Sequence, residues 1–460
     1  MAILAGWLVN RYGAFSLPLI LAGIFLLVAS IQIFRNPVNG LILVAFFLPF
    51  ERIGSYDIAG VTIRLSQILA LITIVAWALE LLVNGKIKLA KNPILLPLFF
   101  FLLVNLVALI NAPNLGKSIL VLGFTIFTIL VGLIIPNLAK NEKIIQKIVL
   151  ILLWSSLIVS LFGLYQFAGD MLGLPETLTG LRPQYTKVIL GFTRIQSTAL
   201  EPLYFANYLL LPLGLAVVLF LAKSQKISQL FLLGVIGLGI LNLILTASRG
   251  GYLAFLASLL VIAVFYWRKI FKLKIILPSL IVILLIIFVL PRMMGLSVSE
   301  NPIQSNLSTL VSHGLNLFGG AAYEERVERY EQAMALWQEH PLIGSGPGSF
   351  GAWVAEQPNL QPEIGWAIVN NEPLELLAET GIFGLVIVGL VVIILLVRSF
   401  TSIISTPDPY LKSILVALTA VLIGIIVQYQ TFSILYIIHI WFAIGLLVAV
   451  QNLSRQKNAL

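Results

Sequence analysis

The sequence predicts an all-α fold, a polytopic transmembrane bundle of about 12–13 spans with one large, partly helical loop on the extracytoplasmic side. Three observations predict it. The chain is 60% hydrophobic and only 10% charged, with a mean hydropathy of +1.05, far from any soluble domain. Apolar runs long enough to cross the hydrocarbon recur from end to end. One long polar stretch, residues 291–372, interrupts them.

In chain order the runs fall at 16–33, 38–50, 65–83, 93–110, 117–135, 145–168, 203–221, 229–246, 251–267 and 275–290, and after the loop at 374–397, 411–428 and 432–450. The second is short for a crossing. The chain therefore divides into N-terminal transmembrane helices over 1–290, about ten in number, the loop 291–372, and C-terminal helices over 373–460. Arg11 precedes an apolar run with no small-residue cleavage site, so the first run reads as a retained span. With no cysteine, the loops are held without disulfides and no thiolate chemistry is available.

Charge gives an orientation. If the runs alternate in direction, thirteen of fifteen Lys collect on one side, whereas nine of thirteen Arg collect on the other with most of the acids. Lysine-rich loops mark the cytoplasmic side, which puts the C-terminus inside and the 291–372 loop outside an inner (plasma) membrane. The basic balance is thus an orientation signal toward anionic membrane lipids and not a nucleic-acid surface. Outward Arg has no such topological reason. Its planar fork of donors suits bidentate binding of a phosphorylated group, and pairing with the outer Glu residues is the plainer alternative.

Three outer segments are polar enough to build a site: 169–202, 246–251 and 291–372. In the long loop Tyr323, Val327, Tyr330, Met334 and Trp337 recur at helical spacing, with Arg326 and Arg329 on one flank and Glu324, Glu328 and Glu331 on the other. The run His340-Pro341-Leu342-Ile343-Gly344-Ser345-Gly346-Pro347-Gly348-Ser349-Phe350 demands turns, and its backbone amides either cradle a phosphate or simply end a helix. Asn370-Asn371-Glu372-Pro373 opens a span with an Asn cap and Pro in the first turn. Glu201-Pro202 opens another in the same way, so capping is the plain reading of Glu201 and Glu372. Glu375 and Glu379 lie one turn apart where the chain enters the membrane, a costly place for carboxyls that favours a cavity-facing role. Arg249, between two nearly contiguous apolar runs, and Arg194, before the run at 203, sit at similar depth and could together clamp a pyrophosphate.

These residues carry a resemblance. Arg194 with Pro202–Leu209, the Ser248-Arg249-Gly250 turn, the His340–Phe350 turn and the Asn370–Gly381 helix entrance, in this order, resemble the superfamily of O-antigen ligases and Wzy-type O-antigen polymerases, over a core of about 190–400. The resemblance implies transfer of a glycan from an undecaprenyl-pyrophosphate carrier to an acceptor glycan or lipid hydroxyl, with no metal and no cofactor. It also implies that Arg194, Arg249 and one of Arg326 or Arg329 face the pyrophosphate. The family's helix entrance usually reads His-Asn, with His as the proposed base; here Asn370-Asn371 stands there. An amide cannot take a proton, so Glu372, Glu375 or Glu201 is the candidate base, and His313 in the loop is a further one. A transporter or transport accessory for a bicarbonate-like solute, and an inactive homologue that binds lipid-linked glycan, are the alternatives. Transport predicts broken helices with ionisable groups at mid-bilayer, whereas here the charges gather at span ends.

Overall fold

The computed structural model describes residues 16–52, 55–58, 61–84, 89–186, 188–189, 192–270, 321–357 and 367–458. The predicted span at 275–290, His313, and loop residues 291–320 and 358–366 lie outside them.

The described chain is mostly helical. In order it forms α1 (Ser16–Arg35), α2 (Pro37–Phe47), α3 (Leu65–Asn84), α4 (Leu95–Ala108), α5 (Leu115–Leu138), α6 (Glu142–Met171) and the single turn α7 (Glu176–Thr179). Then follow α8 (Pro202–Leu221), α9 (Gln229–Leu245), α10 (Arg249–Ile270), α11 (Ala321–Glu339), α12 (Ser349–Ala355), α13 (Glu372–Ser405), α14 (Pro409–Gln428) and α15 (Ile438–Asn458). Two small antiparallel hairpins, β1 (Tyr56–Ile58) with β2 (Val61–Ile63) and β3 (Val188–Ile189) with β4 (Phe192–Thr193), sit between helices. Eight described helices are long and apolar enough to cross a membrane, and α1, α2, α4 and α9 are shorter apolar ones. The chain is an integral membrane helix bundle, as its hydropathy predicts.

Short polar signals set the helix starts. Asn36, Asn141 and Asn371 each accept a backbone N–H of the first turn, from Val38, Ile144 and Leu374, and Asp408 accepts those of Tyr410 and Leu411. Pro37, Pro202, Pro373 and Pro409 occupy first-turn positions, where a missing N–H costs nothing. Glu201 takes the cap position of α8 but its side chain makes no capping bond, so the plain capping reading of that carboxylate does not hold there.

Burial sorts the helices into a centre and a rim. In α8, α14 and α15, 83%, 78% and 78% of the apolar window is covered by protein, against 28% in α13 and 33% in α3 and α10. The rim helices turn their aliphatic side chains outward, as lipid-facing surfaces do. Between the central helices, apolar packing alone gives little preference for protein over lipid, and hydrogen bonds supplement it. Asn207 donates to Gln428 Oε1 (2.8 Å) and pairs with His439 Nε2 (2.6 Å), and Ser258 donates to the Ala420 carbonyl (2.9 Å).

α13 is broken at Gly381 (φ 63°, ψ −170°), near its loop end. The broken ladder is filled by the Gly/Pro turn that follows α11. Ile382 and Phe383 donate to the carbonyls of Pro341 and Leu342, and Ser345 and Gly346 donate to those of Ala378 and Glu379. This interlock needs two glycines. A Cβ on Gly344 would lie 2.3 Å from the Glu379 backbone and one on Gly381 would lie 2.3 Å from the Leu342 carbonyl, and both have positive φ.

The loop helix α11 packs on α13 and α12 through Tyr330, Ala333 and Leu336, with Phe350, Val354, Val369 and Ala378. The buried face is therefore turned from the Tyr323–Trp337 stripe that spacing suggests. Ala333 is short enough to let the helices approach, so it is 1% exposed, while Met334 stays half-buried. Glu324, Glu328 and Glu331 are exposed, as their shared edge predicts.

Candidate functional site

The two sets of charges separate onto opposite ends of the bundle. At one end Lys226 pairs with Glu142, and Lys457 bridges Glu142 (2.8 Å) and Asp408 (2.5 Å), joining the ends of α6, α14 and α15. At the other end the arginines gather.

Arg194 follows β4. The backbone after it is tied to the end of α9, where Ile195 N–H donates to the Leu245 carbonyl, and its own Nε donates to Thr246 (2.7 Å). That bond brings Arg194 to the α9–α10 turn, where Arg249 begins α10. Arg326 comes to the same place from α11. Burial holds the Arg194 guanidinium below its ordinary range, and Arg249 and Arg326 press in the same direction while Tyr252 and Glu201 oppose them. Burial likewise lowers Arg326, with Arg249 adding to the fall. Three guanidiniums from three distant segments thus lie within electrostatic reach of one another, half-buried, in a setting that an anion would relieve. Arg329, which shares a flank with Arg326, donates to Gln332 Oε1 on its own helix (3.1 Å).

Glu201 is the carboxylate beside this group. Burial pushes it up, opposed first by Arg194, with Glu51 raising it further and Arg182 lowering it. Sequence reasoning passed over this inner fringe. Glu51 is buried, accepts the Leu200 N–H (3.1 Å) on one oxygen and leaves the other without a hydrogen-bond partner among the described residues. Arg52 donates to the Gly180 carbonyl (2.5 Å) and is lowered by burial and by Arg182. The signal was present: a Glu-Arg pair directly after an apolar run has to be placed somewhere, and here it braces the strap 195–200.

The remaining candidate acids lie at the α13 entrance, where Glu375 and Glu379 are hydrogen-bonded. Glu375 Oε2 accepts the Val369 N–H (2.9 Å) and the Ser433 hydroxyl, and Ser433 in turn accepts the N–H of Asn370 (3.0 Å). Asn370 has positive φ (59°), which Asn tolerates better than most residues. Glu379 accepts the amides of Gly348 (2.8 Å) and Phe350 (3.3 Å). These amides are the ones the sequence offers as a phosphate cradle, and the protein fills them with its own carboxylate. Glu372 is 5% exposed, with Oε2 buried and without a hydrogen-bond partner among the described residues. His340 contributes its backbone to the turn, and His439 is buried at the α8–α15 joint against Asn207.

An integral membrane bundle with an arginine cluster at one end, overhung by a loop helix, is the class this geometry defines. Within it, residues 234–389 match the family described as O-antigen ligase. This match, which covers Arg249, Arg326 and the α13 entrance, bears out the resemblance to the O-antigen ligase and polymerase superfamily. No curated protein matches the chain.

Proposed function

We propose that the protein is a glycosyltransferase that moves a glycan from undecaprenyl pyrophosphate to an acceptor hydroxyl at the outer face of the inner membrane. The observation that carries this reading is the convergence of Arg194, Arg249 and Arg326. In the step, the acceptor oxygen bonds to the anomeric carbon while the bond from that carbon to the pyrophosphate oxygen breaks and the leaving group departs with the electron pair. The acceptor proton passes to a base. Arginines near the departing oxygens stabilise the charge that develops there, the largest electrostatic demand of the reaction.

Glu201 is the base we assign, because it lies within electrostatic reach of Arg194 and burial raises its proton affinity. Glu375 already accepts two hydrogen bonds, and Glu372 faces a different cavity. Asn370 can orient an acceptor hydroxyl but cannot deprotonate it.

Purified protein given undecaprenyl-pyrophosphate glycan and acceptor is expected to form product. Arg249→Ala should abolish turnover, Arg249→Lys should retain part of it, and Glu201→Gln should lower it by roughly 10²–10⁴. Unchanged turnover in Arg249→Ala overturns the assignment. Asn370 in place of the family His favours a second reading, a homologue that binds lipid-linked glycan without turning it over. Tight binding with no product would select it.

A further inference from the structure

A cavity of about 240 Å³ lies away from the arginine cluster, between α4, α13, α14 and α15. Leu98, Val388, Val392, Ile425 and Trp441 are among its walls, and apart from its Glu372 end the lining is almost entirely apolar. It follows α13 from Leu376 to Leu395, a rise of roughly 28 Å, close to the thickness of the hydrocarbon. Gly389 lies on its wall, and a Cβ there would meet nothing within 4 Å. The space is long, narrow and greasy. It suits an alkyl chain.

The two ends of this slot differ in charge. At the loop end stands Glu372, whose buried Oε2 has no hydrogen-bond partner among the described residues, an unfavourable neighbour for a phosphate. At the opposite end Arg398 follows Leu395 by one helical turn and so continues the same face of α13. Arg398 Nη2 donates to Asn452 Oδ1 (2.5 Å), and Asn452 Nδ2 donates to the Lys91 carbonyl (2.9 Å), which draws the start of α4 to the end of α15. Arg398 Nε is buried and has no hydrogen-bond partner among the described residues. Arg455 lies within electrostatic reach of Arg398 and donates to Thr401 (3.2 Å). Trp441 and Ile444, which line the slot, share one face of α15 with Val448 and Arg455. Of the described acids at this end, Glu142 and Asp408 are taken by Lys226 and Lys457, and Glu80 is exposed on α3.

We propose that this slot binds an anionic phospholipid, its phosphodiester on Arg398 and Arg455 with Lys91 at the rim, and one acyl chain running along α13 past Gly389. A buried guanidinium nitrogen with no acceptor, beside a second cation and at the mouth of an alkyl-sized channel, is what a phosphodiester with a tail would complete. A carrier entering from the loop end would instead place its phosphate against Glu372. The site is independent of the transferase reading, since the outer arginines lie on α10, α11 and the strap before α8. Its consequence is mechanical: the lipid joins α4, α13 and α15 at the base of the helix whose top forms the loop interlock.

Trp441 on the slot wall gives a readout. Detergent-solubilised protein titrated with phosphatidylglycerol carrying brominated acyl chains should show saturable quenching of tryptophan fluorescence, which Trp441→Phe removes. Phosphatidylcholine with the same chains should not saturate. Combined Arg398→Ala and Arg455→Ala should weaken phosphatidylglycerol binding by roughly 10- to 30-fold, the effect of two basic side chains near a lipid headgroup. Gly389→Phe should remove the quenching with both arginines intact, and Arg455→Ala alone serves if the double variant does not fold. Equal quenching by the two lipids overturns the headgroup assignment, and unchanged quenching in Gly389→Phe overturns the chain assignment. Glycerol phosphate competing as well as the whole lipid would reduce the site to a simple anion site and also overturn the proposal.

Discussion

Glu379 shows how one side chain can be read correctly for cost and still be given the wrong task by its neighbours in sequence. A carboxylate a turn inside a membrane helix has to be satisfied, and the amides of Gly348 and Phe350 satisfy it from the turn packed against it. Hydrogen bonds to a charged group are worth about 1.5–3 kcal/mol each way of counting, so Glu379→Gln, which keeps the shape but loses the charge, should cost on that order. Its unfolding midpoint in detergent measures this. A melt superimposable on the parent would mean that the carboxylate is not the clasp. Glu201 is a different case, because burial raises it and its side chain makes no capping bond. A carboxyl whose folded value exceeds its unfolded one adds stability below the ordinary carboxylate range, and that contribution is lost as pH rises through the raised value. The stability of the parent should therefore fall relative to Glu201→Gln as pH rises above the unperturbed carboxyl range, about pH 4. Parallel stability curves for the two proteins would rule this out.

The interlock between α13 and the Gly/Pro turn is the element on which the arginine cluster depends. It joins the break at Gly381 to the end of α11, and α11 carries Arg326 toward Arg249. Gly381→Ala forces a Cβ into the Leu342 carbonyl at positive φ and should destabilise by more than about 2 kcal/mol. Gly389→Ala, where the new methyl meets open space, is the control and should leave stability close to that of the parent. Limited proteolysis distinguishes local from global damage: cleavage confined to α11 and α12 is expected, and an equally protected loop in Gly381→Ala would refute the coupling. Parts of this were legible beforehand. Asn371 as cap and Pro373 in the first turn follow from local backbone chemistry, and both are found. The clasp was not, because Glu379 meets amides about thirty residues earlier and no local pattern encodes that distance. The face of α11 was misjudged for a related reason: spacing counts large side chains, while the helix packs on Ala333, whose small size is the advantage.

At the scale of the whole molecule, hydropathy gave the helices because lipid leaves each crossing segment no alternative to satisfying its own backbone. Charge sorting likewise anticipated that the lysine pairs and the arginine cluster occupy different ends, as Lys226–Glu142 and Arg194–Arg249 do. What charge could not give was the meeting of Arg194, Arg249 and Arg326, since that depends on how the strap before α8 and the loop helix fold over the end of α9. Which end faces the cytoplasm rests on the lysine bias, and the chain is convenient for testing it because it contains no cysteine. Single cysteines at two exposed positions, Glu331→Cys on α11 and Gln225→Cys between α8 and α9, should react differently with a membrane-impermeant maleimide. In intact spheroplasts Glu331→Cys should label fully and Gln225→Cys only after permeabilisation. The reverse pattern would turn the arginine cluster toward the cytoplasm and, with it, remove the outer-face glycan transfer proposed for it.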